Sequence, residues 1–508
     1  MESTKKTKAA IVAEVTSGTP VMPSATSDYT ALQDGFTMEP NFETLTSAEL
    51  RGTIDAAEPI LGLEAPTASM SHYIRHSGTE GVAPDWNLLP KSIWGAETVN
   101  STERTTTTGS TAGSSTAAAI INLAAGGTDF SAISKGIAML IKDATNGYSV
   151  RNATSVATNN VTVAFNLANA PATGVTCGKA VYYSNDASDA GKAVTLVNYL
   201  GDGGAIQMVA GAKVDSATIN LPAGDFINGD FTFIGSSYYF NPIEISTANK
   251  IDFKVDGGSE LTAALTAKVY RDPAELAAEV QSKMDALTVR TITCTYSSST
   301  GKFTIASADA TTLDLLWSTG TNTATTAGTK LGYVITSDDT SALSYLADNA
   351  QVWSAPQVGV LDSEGPLTAK GTELMVGSYA DYGCLSNADV TINFSKSASD
   401  VMDACATSGK SDTLFNGREI TVDVSSYVTR HDVSKWLAFK DNTTVQFAYT
   451  AGRKSGSNWV AGSVVNFFAP SMKVSSLTIE DSDGLLALNF TLSAFTNGTD
   501  NALVMNLL

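Results

Sequence analysis

The sequence predicts a mainly β fold with α+β parts: two similar β-sandwich or barrel domains, each flanked by a helix, plus two inserted modules. Three observations predict it. A hairpin-like stretch occurs twice. Period-two alternation recurs along most of the chain. Helical spacing is confined to a few short runs.

The doubled stretch reads AKVDSATINLPAG at residues 212–224 and MKVSSLTIEDSDG at 472–484. Lys, Val, Ser, Thr, Ile and Gly agree at a constant spacing of 260 residues. Just downstream, Asp230-Phe231-Thr232-Phe233 matches Asn489-Phe490-Thr491-Leu492 at a spacing of 259. A repeat of this kind bears on the whole architecture. Simple alternation places Val214, Ser216 and Thr218 on one face, with Asp215, Ala217 and Ile219 on the other. A fainter match lays TASMSHYI (67–74) on TVDVSSYV (421–428). Tyr427 lies 46 residues before Lys473, whereas Tyr73 lies 140 before Lys213. The first copy therefore holds an insertion of roughly a hundred residues.

Residues 1–34 carry Lys5, Lys6, Lys8, Pro20 and Pro23 among many Ser and Thr, and read as an extended arm rather than a packed element. From Phe36 the pattern is β. At 84–94, PDWNLLPKSIW puts Trp86, Leu89, Ile93 and Trp94 near helical spacing, an aromatic-rich helix closing a sheet. Residues 98–119 are nearly all Thr, Ser, Ala and Gly, the low-complexity entrance to the first insertion. Alternation resumes at 161–165 and 180–183, which fits a small β-barrel or sandwich.

A second insertion starts near Lys250. Asp272 is a good N-cap and Pro273 a good first residue for a helix carrying Leu276, Val280, Met284 and Leu287. Strands at 289–296 and 302–305 make it an α+β module. In the last third, 390–394 and 417–428 read as strands. Residues 397–406 read as a helix with Val401, Met402 and Cys405 inward, and 431–439 as another. Strands at 445–450, 463–468, 473–479 and 485–495 complete the sheet. The domain expectation is therefore an arm (1–34), a first domain (35–97 with 194–248), an inserted β domain (98–193), an inserted α+β module (249–350) and a second domain (351–508).

Apolar residues make up 43% of the 508, enough for several cores. Charged residues are only 16%, against ~25% in average proteins. So sparse a charge suits a surface covered by neighbours, or a plain Ser/Thr-rich extracellular-type β protein. The net charge of −20, from 51 acids and 31 bases, argues against holding nucleic acid by its phosphates. It suits letting DNA pass without sticking.

Chemistry-bearing constellations are sparse. Nucleophile-elbow, phosphate-loop, zincin and EF-hand patterns do not occur. His72, His76 and Glu80 could share a strand face and ligate a metal, but Gly78 and Gly81 break that strand. They read instead as two polar strand residues and a loop acid. Asp481-Ser482-Asp483 resembles half a calcium loop, yet coincides with a turn that wants Asp and Gly for backbone reasons. Cys177, Cys294, Cys384 and Cys405 form no CxxC; Cys384 and Cys405 could meet, or stand as two buried free thiols. No catalytic, cofactor or metal site is expected, and no enzyme. The run AAIVAEVTSGTP is broken by Glu14 before a signal-peptide core forms, and no apolar run is long enough to span a membrane.

Taken together, LTSAELRGTIDAAEPILGLEAPTASMSHYI, SGTEGVAPDWNLLPKSIWG and VAGAKVDSATINLPAGDFINGDFTFIGSSYYF resemble the tail tube (major tail) proteins of long-tailed bacteriophages. GREITVDVSSYV and MKVSSLTIEDSDGLLALNFTLSAF look like the matching parts of a second tube domain. About half the chain is covered, by strand patterns rather than by an active-site signature. The segment 272–332 looks like an add-on module common in phage structural proteins.

The resemblance implies tube-type β domains, each with a flanking helix, a long hairpin and an arm reaching neighbouring rings. It implies self-association: three two-domain chains in a pseudo-sixfold ring, or a homohexamer if the duplication fails. Rings would stack around a channel for DNA. It further implies contact with tail tip or terminator, tape measure and tail chaperone proteins, and a place in the virion tail after assembly in the host cytoplasm. A tip or terminator protein with the same fold is an alternative. So is a carbohydrate- or host-binding surface protein.

Overall fold

The structure is a computed structural model. It describes residues 7–508 apart from 32, 34–35, 47–57, 115–116, 124–134, 158, 186–192, 202–204, 352–364, 378–388, 404, 406–407, 429–432, 483 and 497–500. Strands dominate, arranged in several sheets. β1 (Lys8–Ala13), β2 (Thr37–Glu39), β3 (Phe42–Leu45), β4 (Ile60–Glu64) and β5 (Thr67–Tyr73) precede helix α1 (Leu88–Trp94). β6 (Gly95–Asn100) and β7 (Ala180–Asn185) bracket an inserted small sheet. β8 (Val194–Leu200), β9 (Ala205–Leu221), β10 (Asn228–Ile234) and β11 (Ser237–Phe240) follow. After a module containing α2 (Pro273–Asp285) come β12 (Glu373–Gly377), β13 (Asp389–Met402), β14 (Lys410–Tyr427) and α3 (Val433–Lys440). β15 (Val445–Ser455), β16 (Asn458–Ser482), β17 (Leu485–Ala494) and β18 (Val504–Leu507) close the chain's order.

Two units share one wiring. In each, a long strand (β9 or β16) runs through two sheets. Its first half pairs with β8 and β11, or with β15 and β18. Its second half forms a hairpin with β10 or β17. Even the irregularities recur. Val194 faces Ala212 and Leu196 faces Val209 across a bulge. Val445 faces Met472 and Phe447 faces Ala469 across another. In the hairpins the bulges fall between Val214 and Ser216, and between Val474 and Ser476. Phe231 faces Met70 on β5, and Phe490 faces Val424 on β14. Bulges set which side chains face the core. Asp215 is the extra residue, so Val214 joins Ala217 and Ile219 in the core, while Ser216 and Thr218 take the opposite face. Simple alternation had put Val214 with Ser216.

The two units are fused edge to edge. β13 pairs with β14 on one side and with β9 on the other, from Ser216 opposite Ser395 to Leu221 opposite Val390. The result is a continuous antiparallel sheet ordered β2–β5–β10–β9–β13–β14–β17–β16. One face of it covers a shared core that includes Met70, Ile219, Phe231, Ile392, Val422 and Phe490. The outer sheets, β1–β8–β9–β11 and β12–β15–β16–β18, close that core from behind.

The insertions pack on those outer sheets. Ile121, Val161 and Phe165 of the first share a core with Phe468, Trp459 and Val504. β7 and β6 extend the second unit's outer sheet beyond β18. The α+β module has its own core around Phe253, Tyr270, Leu276 and Trp317. Asp272 caps α2 by accepting the Glu275 N–H at 2.8 Å.

Other sequence expectations are corrected. Residues 8–13 and 29–30 are not part of an extended arm: β1 is paired to β8 on one side and, at Ala9 and Ala10, to Thr30 and Tyr29 on the other, and the apolar run AAIVA fills that place with Ala9 and Ala10 fully buried. The described part of 397–406 is not helical. Pairing with β14 keeps it extended as far as Met402, which is 63% exposed, and Cys405 is also exposed. The strands expected at 463–468 and 473–479 are one 25-residue strand. Thr98–Asn100 and Arg104–Thr105 of the low-complexity stretch are paired strand residues.

Candidate functional site

The most distinctive surface is the free face of the eight-stranded sheet. Its rows follow from the pairing registers. One row runs Ser69, Thr232, Ser216, Ser395 and Glu419; the next runs Thr67, Ile234 and Lys213. Further rows run Ser71, Asp230, Thr218, Asn393, Thr421 and Ser493, and Tyr73, Asn228, Asn220, Thr391, Asp423, Thr491 and Ser476. Glu39, Asp230, Asp389, Glu419, Asp423 and Glu480 supply six carboxylates. Among the paired residues of this face the lysines are Lys213, in the last row, and Lys473, opposite Ser493 on the edge strand; both lie beyond the bulges.

Side-chain hydrogen bonds knit the face laterally. Asp230 accepts from Ser71 (2.5 Å) and Asn220 (2.9 Å). Asp423 accepts from Thr491 (2.6 Å) and Asn393 (2.8 Å). Each of these two carboxylates thus joins neighbouring strands.

The seam between the units is anchored by the distal part of the β13–β14 hairpin, which lies on the first unit. Lys213 donates to Asp412 and to the Thr413 carbonyl, both at 2.7 Å. Ser17 also donates to Asp412, at 2.6 Å. Burial would raise the Asp412 carboxyl, but Lys213, Ser17 and the Thr413 N–H outweigh it and hold it below the usual range. Lys396 donates to the Ser92 carbonyl at 2.8 Å and Arg418 to the Ile93 carbonyl at 3.2 Å, placing two cations at the carbonyl end of α1. Nearby, Glu14 accepts from Gly18, Thr195 and Gly211, while burial pushes its carboxyl up.

No protein-family model matches the sequence, and no curated protein matches it. The functional reading therefore rests on the molecule itself.

The remaining candidates are placed as follows. His72 is buried, with Nε2 3.0 Å from Thr30 Oγ1 and its ring stacked on Trp86. His76 Nδ1 accepts the Gly78 N–H at 3.2 Å, and Glu80 is paired to Lys142 at 2.6 Å. Among the described residues no group of His, Cys, Asp and Glu is arranged to hold a metal ion. Asp481 accepts the Gly484 N–H at 2.7 Å, a turn-closing bond; Asp483 lies outside the described residues. Cys177 and Cys294 are buried, and burial pushes both thiols up to about 12. Cys384 lies outside the described residues, so its pairing with the exposed Cys405 has no geometry here. A cavity of about 330 Å³ between the first insertion and the second unit is lined by Asp143, Arg151 and Glu373. Asp143 spends its carboxylate on the Thr145, Asn146 and Ala172 N–H groups, and Arg151 donates to the Asn166 and Val150 carbonyls. No helix among the described residues is long and apolar enough to cross a membrane.

Sequence reasoning found the acidic balance but not the face. The face needed the bulge positions and the β9–β13 pairing, which join residues far apart in the chain.

Proposed function

We propose that this chain is a structural subunit of a bacteriophage tail tube. Three copies close a ring with pseudo-sixfold symmetry, and rings stack into a channel through which genomic DNA passes during ejection into the host. The observation that carries the reading is the continuous sheet itself: two equivalent units side by side, sharing one polar face with six carboxylates and lysines only at its margin. Such a face lining a lumen repels DNA phosphates and lets the duplex slide. Closure into a barrel also satisfies the strand edges that a single chain leaves open. The inserted modules pack on the outer sheets, away from that face, which suits a position outside the tube. The protein then works in the virion tail, after assembly in the host cytoplasm, alongside tail tip or terminator, tape measure and tail chaperone proteins.

Negative-stain electron microscopy of the purified protein tests this. Long hollow tubes with a regular axial repeat and threefold end views are expected. Monodisperse particles that never polymerise on concentration would move the assignment to a tail-tip or terminator protein, whose copy number per particle is one or two rings' worth.

A further inference from the structure

We infer that residues 36–41 of one copy pair antiparallel with residues 476–481 of a second copy, setting Met38 opposite Ile479, and that Glu58 meets Lys473 at the same joint. The proposal deepens the ring reading and rests on it for the identity of the assembly. The joint itself repeats the seam inside one chain.

That seam joins the second half of β9 to β13. The equivalent of β9 is β16, 260 residues on, and the equivalent of β13 is β2 with β3, 354 residues back. The correspondence extends to the hairpins. Phe42 faces Glu64 and Thr44 faces Leu61 across a bulge. Lys396 faces Arg418 and Ala398 faces Phe415 across a bulge at the same place. Yet among the described residues β16 beyond Met472 pairs only with β17, and β2 pairs only with β5. Each chain so carries two open edges that are the two halves of its own internal seam.

The exposures agree. Ile219, sheltered by β13, is 1% exposed; its counterpart Ile479 is 58% exposed. Leu485 and Leu486 beside it are 54% and 60% exposed. On the other edge, the β3–β4 hairpin leaves Phe42, Ile60 and Leu61 at 45%, 62% and 68%. Apolar strand edges left this open are completed by association.

The register follows by shifting the seam. Ile219 opposite Ile392 becomes Ile479 opposite Met38, and Thr218 opposite Asn393 becomes Thr478 opposite Glu39. The backbone is oriented for it. Ala65 donates to the Asn41 carbonyl at 2.7 Å, so residues 37, 39 and 41 bond inward to β5, while 36, 38 and 40 turn outward. On β16, Ser482 pairs with Leu485 across a two-residue turn, so 478 and 480 bond inward to β17 and 479 turns outward. Met38 and Ile479 are thereby a hydrogen-bonded pair, and Glu39 and Thr478 a close non-bonded pair. Pro40 accepts but cannot donate, so the joint has one N–H fewer than the seam and disfavours promiscuous edge pairing.

The ion pair shifts too. Lys213 corresponds to Lys473, and Asp412 on the distal hairpin corresponds to Glu58. Lys213 and Asp412 are 2.7 Å apart within the chain. Neither Lys473 nor Glu58 has an ion-pair partner among the described residues. Because the two edges differ, the contact is head to tail and builds a ring when its rotation closes.

Two measurements test the joint in full-length chain. In a Cys384→Ser, Cys405→Ser background, Glu39→Cys with Thr478→Cys is treated with a thiol oxidant and run on denaturing gels. An interchain ladder ending at a closed trimer is expected. The control Glu43→Cys with Thr478→Cys, displaced by four residues or about 13 Å, is expected to give none. Second, Lys473→Glu is expected to raise the concentration for assembly about tenfold, and Glu58→Lys in the same chain to restore it. Absence of the Glu39–Thr478 cross-link, or equal cross-linking of the control, overturns the joint. So does failure of the double charge swap to restore assembly when circular dichroism shows both variants folded. Cross-linked rings that never stack leave the joint standing and defeat the tube; hollow tubes without the cross-link do the reverse.

Discussion

The Lys213 ammonium lies 2.7 Å from the Asp412 carboxylate, joining two residues 199 positions apart and tying the second unit's hairpin to the first unit's longest strand. Lys213 is 5% exposed and Asp412 28%, so the lysine is the member that cannot return to water. Asp412→Ala leaves a buried ammonium with only the Thr413 carbonyl and is expected to cost about 3 kcal/mol; Lys213→Met leaves a carboxylate with solvent access and is expected to cost about 1 kcal/mol. The double variant is expected to fall short of the sum, because the two changes remove one interaction. Urea unfolding of the four proteins measures all three numbers.

The reading of the sequence reached the repeat because its period-two signal is local. Spacings of 260, 259 and 354 residues link the matched stretches, and the same spacings relate the observed pairing registers. What it did not reach is non-local. Nothing near Ser216 announces Ser395 as its partner, and nothing near Asp215 announces a bulge. The helix expected at 397–406 failed because spacing of Val401, Met402 and Cys405 is a weak signal that strand pairing with Thr413 and Asp412 overrides. The polar face was legible residue by residue as Ser, Thr, Asn and Asp, but not as one surface until the units were joined.

Acid is expected to weaken the fold through two buried histidines. Burial lowers His72 to about 3, with Arg75 adding to it, and burial lowers His76 to about 4. An unfolded histidine titrates near 6.5, so below that pH the unfolded chain takes up protons that the folded one refuses. The stability these rings contribute is complete above pH 6.5 and is lost as pH falls toward 4 and 3. At pH 5 each ring accounts for a loss of about 2 kcal/mol. Denaturant midpoints measured from pH 7.5 to 5 are expected to fall, and His72→Phe, which keeps the stack on Trp86, is expected to remove about half the slope. A flat profile in the native protein would mean that the rings are not buried neutral.

The α+β module answers to its own core, and a change confined to it is expected to stay local. Asp272→Ala removes the carboxylate that caps α2 through Glu275 N–H, at a cost of about 1 kcal/mol. Hydrogen exchange in α2 and the paired strands Ile292–Ser297 and Lys302–Ser307 is expected to quicken about fivefold, while β9 and β16 keep their protection. Equal quickening in β9 would show that the module and the first unit unfold as one.

The sheet's charge pattern makes the sharpest demand. Glu419 and Thr232 are exposed on the polar face and lie in one row, with Ser395 and Ser216 between them. Glu419→Lys with Thr232→Lys exchanges one negative and one neutral side chain for two positive ones, a change of three charges per chain on that surface. The native protein, acidic there and acidic overall, is expected not to retain duplex DNA at any ionic strength. The double variant is expected to retain it at low salt and to release it as salt rises, because each phosphate contact is held by counterion release. The salt slope counts the contacts: in the proposed ring three variant chains would offer six new lysines, so a slope well above that of a single contact would support their meeting one shared stretch of DNA. Retention by the native protein, or variant binding that salt does not weaken, would remove the electrostatic argument for a lumen. Filter binding with a short duplex, repeated across salt concentrations on assembled material, distinguishes these outcomes.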